Sequence, residues 1–276
     1  MRAVLTVAGS DSSGGAGIQA DLKTIAAHHL FGMSAITALT AQNTTGVFGV
    51  ENASPNFVAQ QINAVFDDIR PAAVKIGMIS SAEIVEAVAD ELACNLAEHV
   101  VVDPVMVATS GSALIADGAV RALAARLFPL AEVVTPNIPE AEVLAEMPIA
   151  SEADMEQAAR AIADAVPGRC APAVLVKGGH GVGAVDAADD LLLLPTGEAV
   201  WLRAARVDNP NTHGTGCTLS SAIACGLAQG LRPEKAVRQA KAYVHGAIAA
   251  GLDLGHGSGP LDHMWNQRER SAFLDA

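Results

Sequence analysis

Ala73-Val74-Lys75-Ile76-Gly77-Met78, the run from Ala82 to Glu98, and Val100-Val101-Val102-Asp103-Pro104-Val105 together decide the fold. The first and last pieces are short, apolar and rich in β-branched residues. Between them Ile84, Val85, Val88, Leu92 and Leu96 recur at helical spacing. A short apolar run, a helix and a second short run form a β-α-β unit, in which the helix lets the two strands lie parallel.

The same alternation extends to both ends of the chain. Strands are predicted at Ala3–Ala8, Ser34–Thr40, Ala73–Ile76, Val100–Val102, Val133–Thr135 and Ala173–Val176. A hairpin is expected around Leu191–Pro195 and Ala199–Leu202, followed by a short strand at Arg206–Val207. Helices are predicted at Gly17–His29, Pro55–Asp68, Ala82–Glu98, Asp117–Phe128, Pro139–Met147, Glu152–Ala165, Gly216–Gln229 and Pro233–Ala250. This order predicts an α/β fold: a central, largely parallel sheet with helices on both faces, in three α/β/α layers. No linker, charge run or repeat divides residues 1–276, so one domain is expected. Open sheets of this kind bind ligands beyond the carboxyl ends of their strands. Gly9, Gln42, Gly77-Met78, Asp103-Pro104-Val105, Pro136-Asn137 and Lys177-Gly178-Gly179 stand at those ends.

Composition agrees with a buried sheet. Hydrophobic residues make up 51% and aromatics only 3%, so Ala, Val, Leu and Ile must build the core. Seventeen Lys and Arg against 30 Asp and Glu give a formal charge of −13, which disfavours nucleic acid and anionic membranes as partners. The four cysteines, Cys94, Cys170, Cys217 and Cys225, include no CxxC pair. Neither a disulfide nor a structural zinc site is expected. None of the eight histidines has metal-ligand spacing, and His213, His180 and His256 are read as structural. The N-terminal apolar run is too short for a signal peptide and no stretch reaches 18 apolar residues. A soluble, cytoplasmic protein is expected.

Two glycine-rich segments invite a phosphate reading. Gly15-Ala16-Gly17-Ile18-Gln19-Ala20 matches GxGxxA, yet Ser10–Gly14 separates it from the strand and the second strand ends in Thr40-Ala41-Gln42, without a carboxylate for a ribose. Its glycines either form a capped turn or admit a small ligand close to the backbone. The second segment, Asn211-Thr212-His213-Gly214-Thr215-Gly216-Cys217, leads into a helix on which Leu219, Ala222, Ile223, Gly226 and Leu227 share a face. Unpaired N–H groups and the helix dipole make such a start an anion site. Cys217 falls in its first turn, where that field favours thiolate. It is either a base for a substrate hydroxyl or a small apolar residue at a tight contact.

Taken in order, Gly14–Lys23, Thr37–Thr44, Lys75–Met78, Asp103–Met106, Thr135–Ala141, Val176–His180 and Asn211–Cys217 closely resemble hydroxymethylpyrimidine/phosphomethylpyrimidine kinase of the ribokinase superfamily, and the resemblance runs on to Gly255–Pro260. It implies a ribokinase-like fold and ATP-dependent phosphorylation of 4-amino-5-hydroxymethyl-2-methylpyrimidine, then of its monophosphate, in thiamine biosynthesis. By the same resemblance Gln42 pairs with the pyrimidine edge, and Gly9, Asp21, Met78 and Val105 line its pocket. Gly214, Thr215, Gly216 and Cys217 form the catalytic segment. Lys177, Asn137, Thr212 and Lys241 hold the nucleotide, while Asp103 and Glu140 hold Mg²⁺, largely through water. Gly-Thr-Gly-Cys replaces the Gly-Ala-Gly-Asp of sugar kinases, which points to a heteroaromatic alcohol. A homodimer is implied too. Structural readings stay open for Asp21 as a helix cap and Met78 as core. Pyridoxal kinase, or a pyrimidine-binding regulator without turnover, are the rival functions.

Overall fold

A computed structural model describes residues 1–106, 118–168, 171–179, 182 and 186–267. The chain runs β1 (Ala3–Asp11), α1 (Gly17–Ala27), β2 (Phe31–Asn43), β3 (Gly46–Asn52), α2 (Pro55–Asp68), β4 (Ala73–Ile76), α3 (Ala82–Cys94), β5 (Val100–Val102) and α4 (Ala119–Arg126). After a 3-10 turn at Phe128–Leu130 come β6 (Ala131–Val134), α5 (Ile138–Ala145), α6 (Glu152–Asp164), β7 (Ala173–Val176), β8 (Asp190–Leu193), β9 (Ala199–Leu202), α7 (Thr215–Ala228) and α8 (Pro233–Ala250). Asp117, Cys170 and His180, all named above, lie outside the described residues.

The described strands form one nine-stranded sheet in the order β3-β2-β1-β4-β5-β6-β7-β8-β9. The pairs from β2 through β7 are parallel, while β3, β8 and β9 join antiparallel at the edges. Strand alternation separates two cores. Val74, Ile76, Val100, Val102, Val174 and Val176 face α2, α3, α5 and α6. Ala73, Val101, Val133, Ala173 and Leu175 face α7 and α8. Helix starts follow local chemistry: Ser54, Ser81 and Ser151 cap α2, α3 and α6 by accepting backbone N–H bonds.

Three expectations change. β2 runs longer than Ser34–Thr40 because it pairs along its whole outer part with β3, an exposed edge strand with no place in the sequence reading. Its two glycines and single-sided pairing leave no alternation to detect. Asn43 Oδ1 accepts the Thr45 N–H at 2.9 Å and so turns the chain between the two strands. Arg206–Val207 forms no strand; the neighbouring Ala205 makes only an isolated bridge to Ala187.

Candidate active site

The carboxyl ends of the parallel strands and the start of α7 surround one cavity of about 580 Å³. Gly9, Gln42, Met78, Val105, Asp103, Asn137, Glu140, Lys177, Thr212, Gly214, Thr215, Gly216, Cys217 and Lys241 all line it. Residues from across the whole chain therefore meet in one place.

Asp21 is the exception, and its expected place in the pocket wall is corrected. It is fully buried on α1 beneath the cavity. Its carboxylate receives Lys75 Nζ at 2.9 Å on both oxygens, Thr6 Oγ1 at 2.6 Å and Ser221 Oγ at 2.7 Å. Nor does it cap α1, whose N-cap is Ala16, without a side-chain bond.

The start of α7 is shaped for close approach. Gly214 has φ of 85° and a Cβ there would stand 1.9 Å from the Gly15 carbonyl oxygen, so only glycine fits. No side chain caps this helix. The Thr215 N–H donates to the Thr212 carbonyl at 3.2 Å, and the Gly216 and Cys217 amides follow it at the cavity without a side-chain cap. Although Cys217 lines the cavity, burial pushes its thiol up to about 11, reinforced by Asp21 and Asp103. Lys75 and the Gly17 N–H oppose that rise without cancelling it. The helix field that favours thiolate does not set the resting state here: burial raises the thiol above its ordinary value.

Asp103, Glu140 and Lys177 form a charged cluster at the ends of β5 and β7 and the start of α5. Asp103 Oδ1 accepts from Lys177 Nζ at 2.8 Å and Thr135 Oγ1 at 3.0 Å. Burial alone would raise its carboxyl, but the ammoniums of Lys177 and Lys75 hold it below the ordinary value. Glu140 lies the other way: burial, then Asp103, raises it against Lys177. Asn137 and Glu140 form a reciprocal capping box, with Asn137 Oδ1 accepting the Glu140 N–H at 2.9 Å and Glu140 Oε2 accepting the Asn137 N–H at 2.7 Å. Lys177 Nζ sits 3.9 Å from Glu140 Oε2. Two carboxylates with an ammonium beside both, and no cluster of three metal-ligating side chains among the described residues, do not build a direct cage. They fit a hydrated Mg²⁺ that keeps its waters.

Lys241 reaches the wall from α8, its Nζ donating to Asp190 Oδ2 at 2.5 Å and to the Ala188 carbonyl at 2.6 Å. Thr212 Oγ1 lies 3.4 Å from Ser258 Oγ. Asp11, the 204–209 segment and His245 also line the cavity and were missed. Only the cluster of polar residues after the first strand, Ser10–Ser13, hinted at Asp11.

A family model described as phosphomethylpyrimidine kinase matches residues 11–262. The hydroxymethylpyrimidine/phosphomethylpyrimidine kinase of Streptomyces coelicolor is 53% identical over 262 residues, covering 95% of this chain and 94% of that protein. Phosphomethylpyrimidine kinase from Clostridium difficile superposes with a TM-score of 0.77 at 45% identity, over 90% of this chain and 100% of that one. Pyridoxal kinase of Bacillus subtilis, solved as an ADP complex, superposes with a TM-score of 0.87 at 34% identity, over 97% and 99% of the two chains. Matched in sequence almost from end to end and in fold with solved kinases, the chain belongs to the hydroxymethylpyrimidine/phosphomethylpyrimidine kinases, enzymes of the ribokinase-like fold.

Proposed function

We propose that the chain transfers a phosphoryl group from ATP to the hydroxymethyl oxygen of 4-amino-5-hydroxymethyl-2-methylpyrimidine, and a second one to the resulting monophosphate, in thiamine biosynthesis. One observation carries the reading: the uncapped start of α7, with Cys217, opens on the same cavity as Gln42 and Lys177. An amide supplies one donor and one acceptor to an aminopyrimidine edge. Gly9, Met78 and Val105 are its apolar walls. Lys177, Asn137, Thr212 and Lys241 hold the nucleotide, and the Gly214–Cys217 turn receives the moving phosphoryl group through the amides of its two glycines. Mg²⁺, held through water by Asp103 and Glu140, would neutralise phosphate charge. Phosphoryl transfer is largely positioning and charge neutralisation, which these groups provide. Cys217, protonated at rest, must give up its own proton before it takes the one from the substrate hydroxyl. The enzyme works as a cytoplasmic homodimer; light scattering reads the number of chains directly.

Pyridoxal is the second reading, favoured by the fold match to pyridoxal kinase. An ADP-release assay separates the two. Turnover is expected on hydroxymethylpyrimidine and on its monophosphate, with pyridoxal much slower. Faster turnover on pyridoxal would reverse the assignment.

A further inference from the structure

Asp11 and His213 have no role in the reading above, yet both line the cavity next to Gln42. Asp11 Oδ1 accepts from the Ser13 N–H at 2.8 Å and from Ser13 Oγ at 2.7 Å. Its Oδ2 accepts from the Gly15 N–H at 3.1 Å, the Ala16 N–H at 2.8 Å and His213 Nε2 at 2.8 Å. Burial works to raise this carboxyl, but these bonds, led by the one from His213, hold it at about 2. An ionised carboxylate only accepts, so His213 Nε2 carries a proton in either charge state of the ring.

The ring is held in place. The backbone N–H of His213 donates to the Gly259 carbonyl at 3.1 Å, and a Cβ on Gly15 would stand 2.4 Å from the ring Cδ2. Gly15 is thus required by the imidazole beside it, which gives the first glycine of GxGxxA a purpose other than a dinucleotide.

The amide of Gln42 lies between this ring and Thr40. Its terminal atoms are 3.3 Å from His213 Nε2 and 3.2 Å from Thr40 Oγ1. Thr40 Oγ1 sits 2.9 Å from the Ser10 carbonyl, which takes its proton. Drawn with the NH₂ group toward His213, the amide sets donor against donor. A half-turn of the last torsion brings its oxygen to the imidazole N–H, which it then shares with Asp11 Oδ2, and its NH₂ to the hydroxyl lone pairs.

We infer that Asp11 and His213 are positioning residues that fix the sense of the Gln42 amide and thereby select the ring edge it accepts. With the acceptor turned to His213 and the donor to Thr40, Gln42 fits an amino donor beside a ring-nitrogen acceptor. It rejects the 4-oxo edge, where carbonyl and ring N–H reverse that polarity. The inference rests on the pyrimidine reading of the cavity.

The test compares kcat/KM, by ADP release, for 4-amino-5-hydroxymethyl-2-methylpyrimidine and its 4-oxo counterpart. It is made on the full chain, on His213→Phe and on Asp11→Asn. In both variants the amide turns freely, so the preference for the amino substrate should fall about tenfold or more, with the oxo analogue gaining as the amino substrate loses. A merely structural role lowers both rates together. A preference unchanged within about twofold overturns the inference. Should His213→Phe not fold, Asp11→Asn decides alone, since it keeps the size of the side chain and one of the two oxygens that accept from the 13–16 turn. No turnover on either pyrimidine by the unaltered chain would overturn the functional reading, and this inference with it.

Discussion

Cys217 shows how one residue's environment decides its chemistry. Its thiol stands at about 11 because burial opposes charge more strongly than Lys75 and the Gly17 N–H favour it. At neutral pH it rests protonated, and the reactive thiolate fraction grows about tenfold per pH unit up to that value. Iodoacetamide labelling of the Cys217 peptide, followed by mass spectrometry, should rise with that slope from pH 7 to pH 10. A rate already level at pH 8 would contradict the burial argument. The two phosphorylations then separate the base from the cradle. The hydroxymethyl oxygen must lose a proton, whereas a monophosphate, with a second pKa near about 6, is already ionised. Cys217→Ala should cost the first step about 10²–10⁴-fold and the second far less. Equal loss in both would make Cys217 a structural part of the cradle. Cys217→Asp should recover part of the first step.

At the scale of elements, two contacts between secondary structures carry opposite lessons. The start of α5 has a double duty, because Glu140 closes a capping box while facing Lys177 and Asp103. Glu140→Gln keeps a capping side chain and removes the charge. The magnesium concentration for half-maximal rate should rise while the melting temperature hardly moves. An unchanged magnesium titration would leave Glu140 as a helix-start residue. Beneath the cavity, Lys75 on β4 joins Asp21 on α1, and Ser221 on α7 completes the contact, with Lys75 and Asp21 both fully buried. Burial would lower the Lys75 ammonium, but Asp21 first, then Cys217 and Asp103, together more than offset this and keep it charged. Lys75→Met strands the Asp21 carboxylate and should destabilise the fold by about 3–5 kcal/mol in urea unfolding. Adding Asp21→Leu should restore much of that loss. No recovery in the double variant would mean that shape, not charge, is what this contact supplies.

Across the whole molecule, the cavity is assembled by topology. Parallel strands from β1 to β7 point their carboxyl ends to one edge, and the return of the chain through α7 sets a helix start against that edge. Sequence alone determined this frame, since the apolar spacing of Ala73–Val105 and its repeats is a local property that periodicity exposes. It likewise determined the Gly214–Cys217 segment and most of the strand-end residues, because glycines and polar groups at such ends follow the order of the chain. The exposed edge strand β3 escaped, having no buried face to impose alternation. Tertiary structure alone decided the rest. Asp21 left the pocket wall because its partner Lys75 comes from β4, far from α1 along the chain. His213 meets Asp11 across 202 residues, a closeness no spacing announces. The rise of the Cys217 thiol belongs here too. Desolvation depends on everything packed around the sulfur, and Lys75, Asp21 and Asp103 reach it only once the sheet and α7 have closed together.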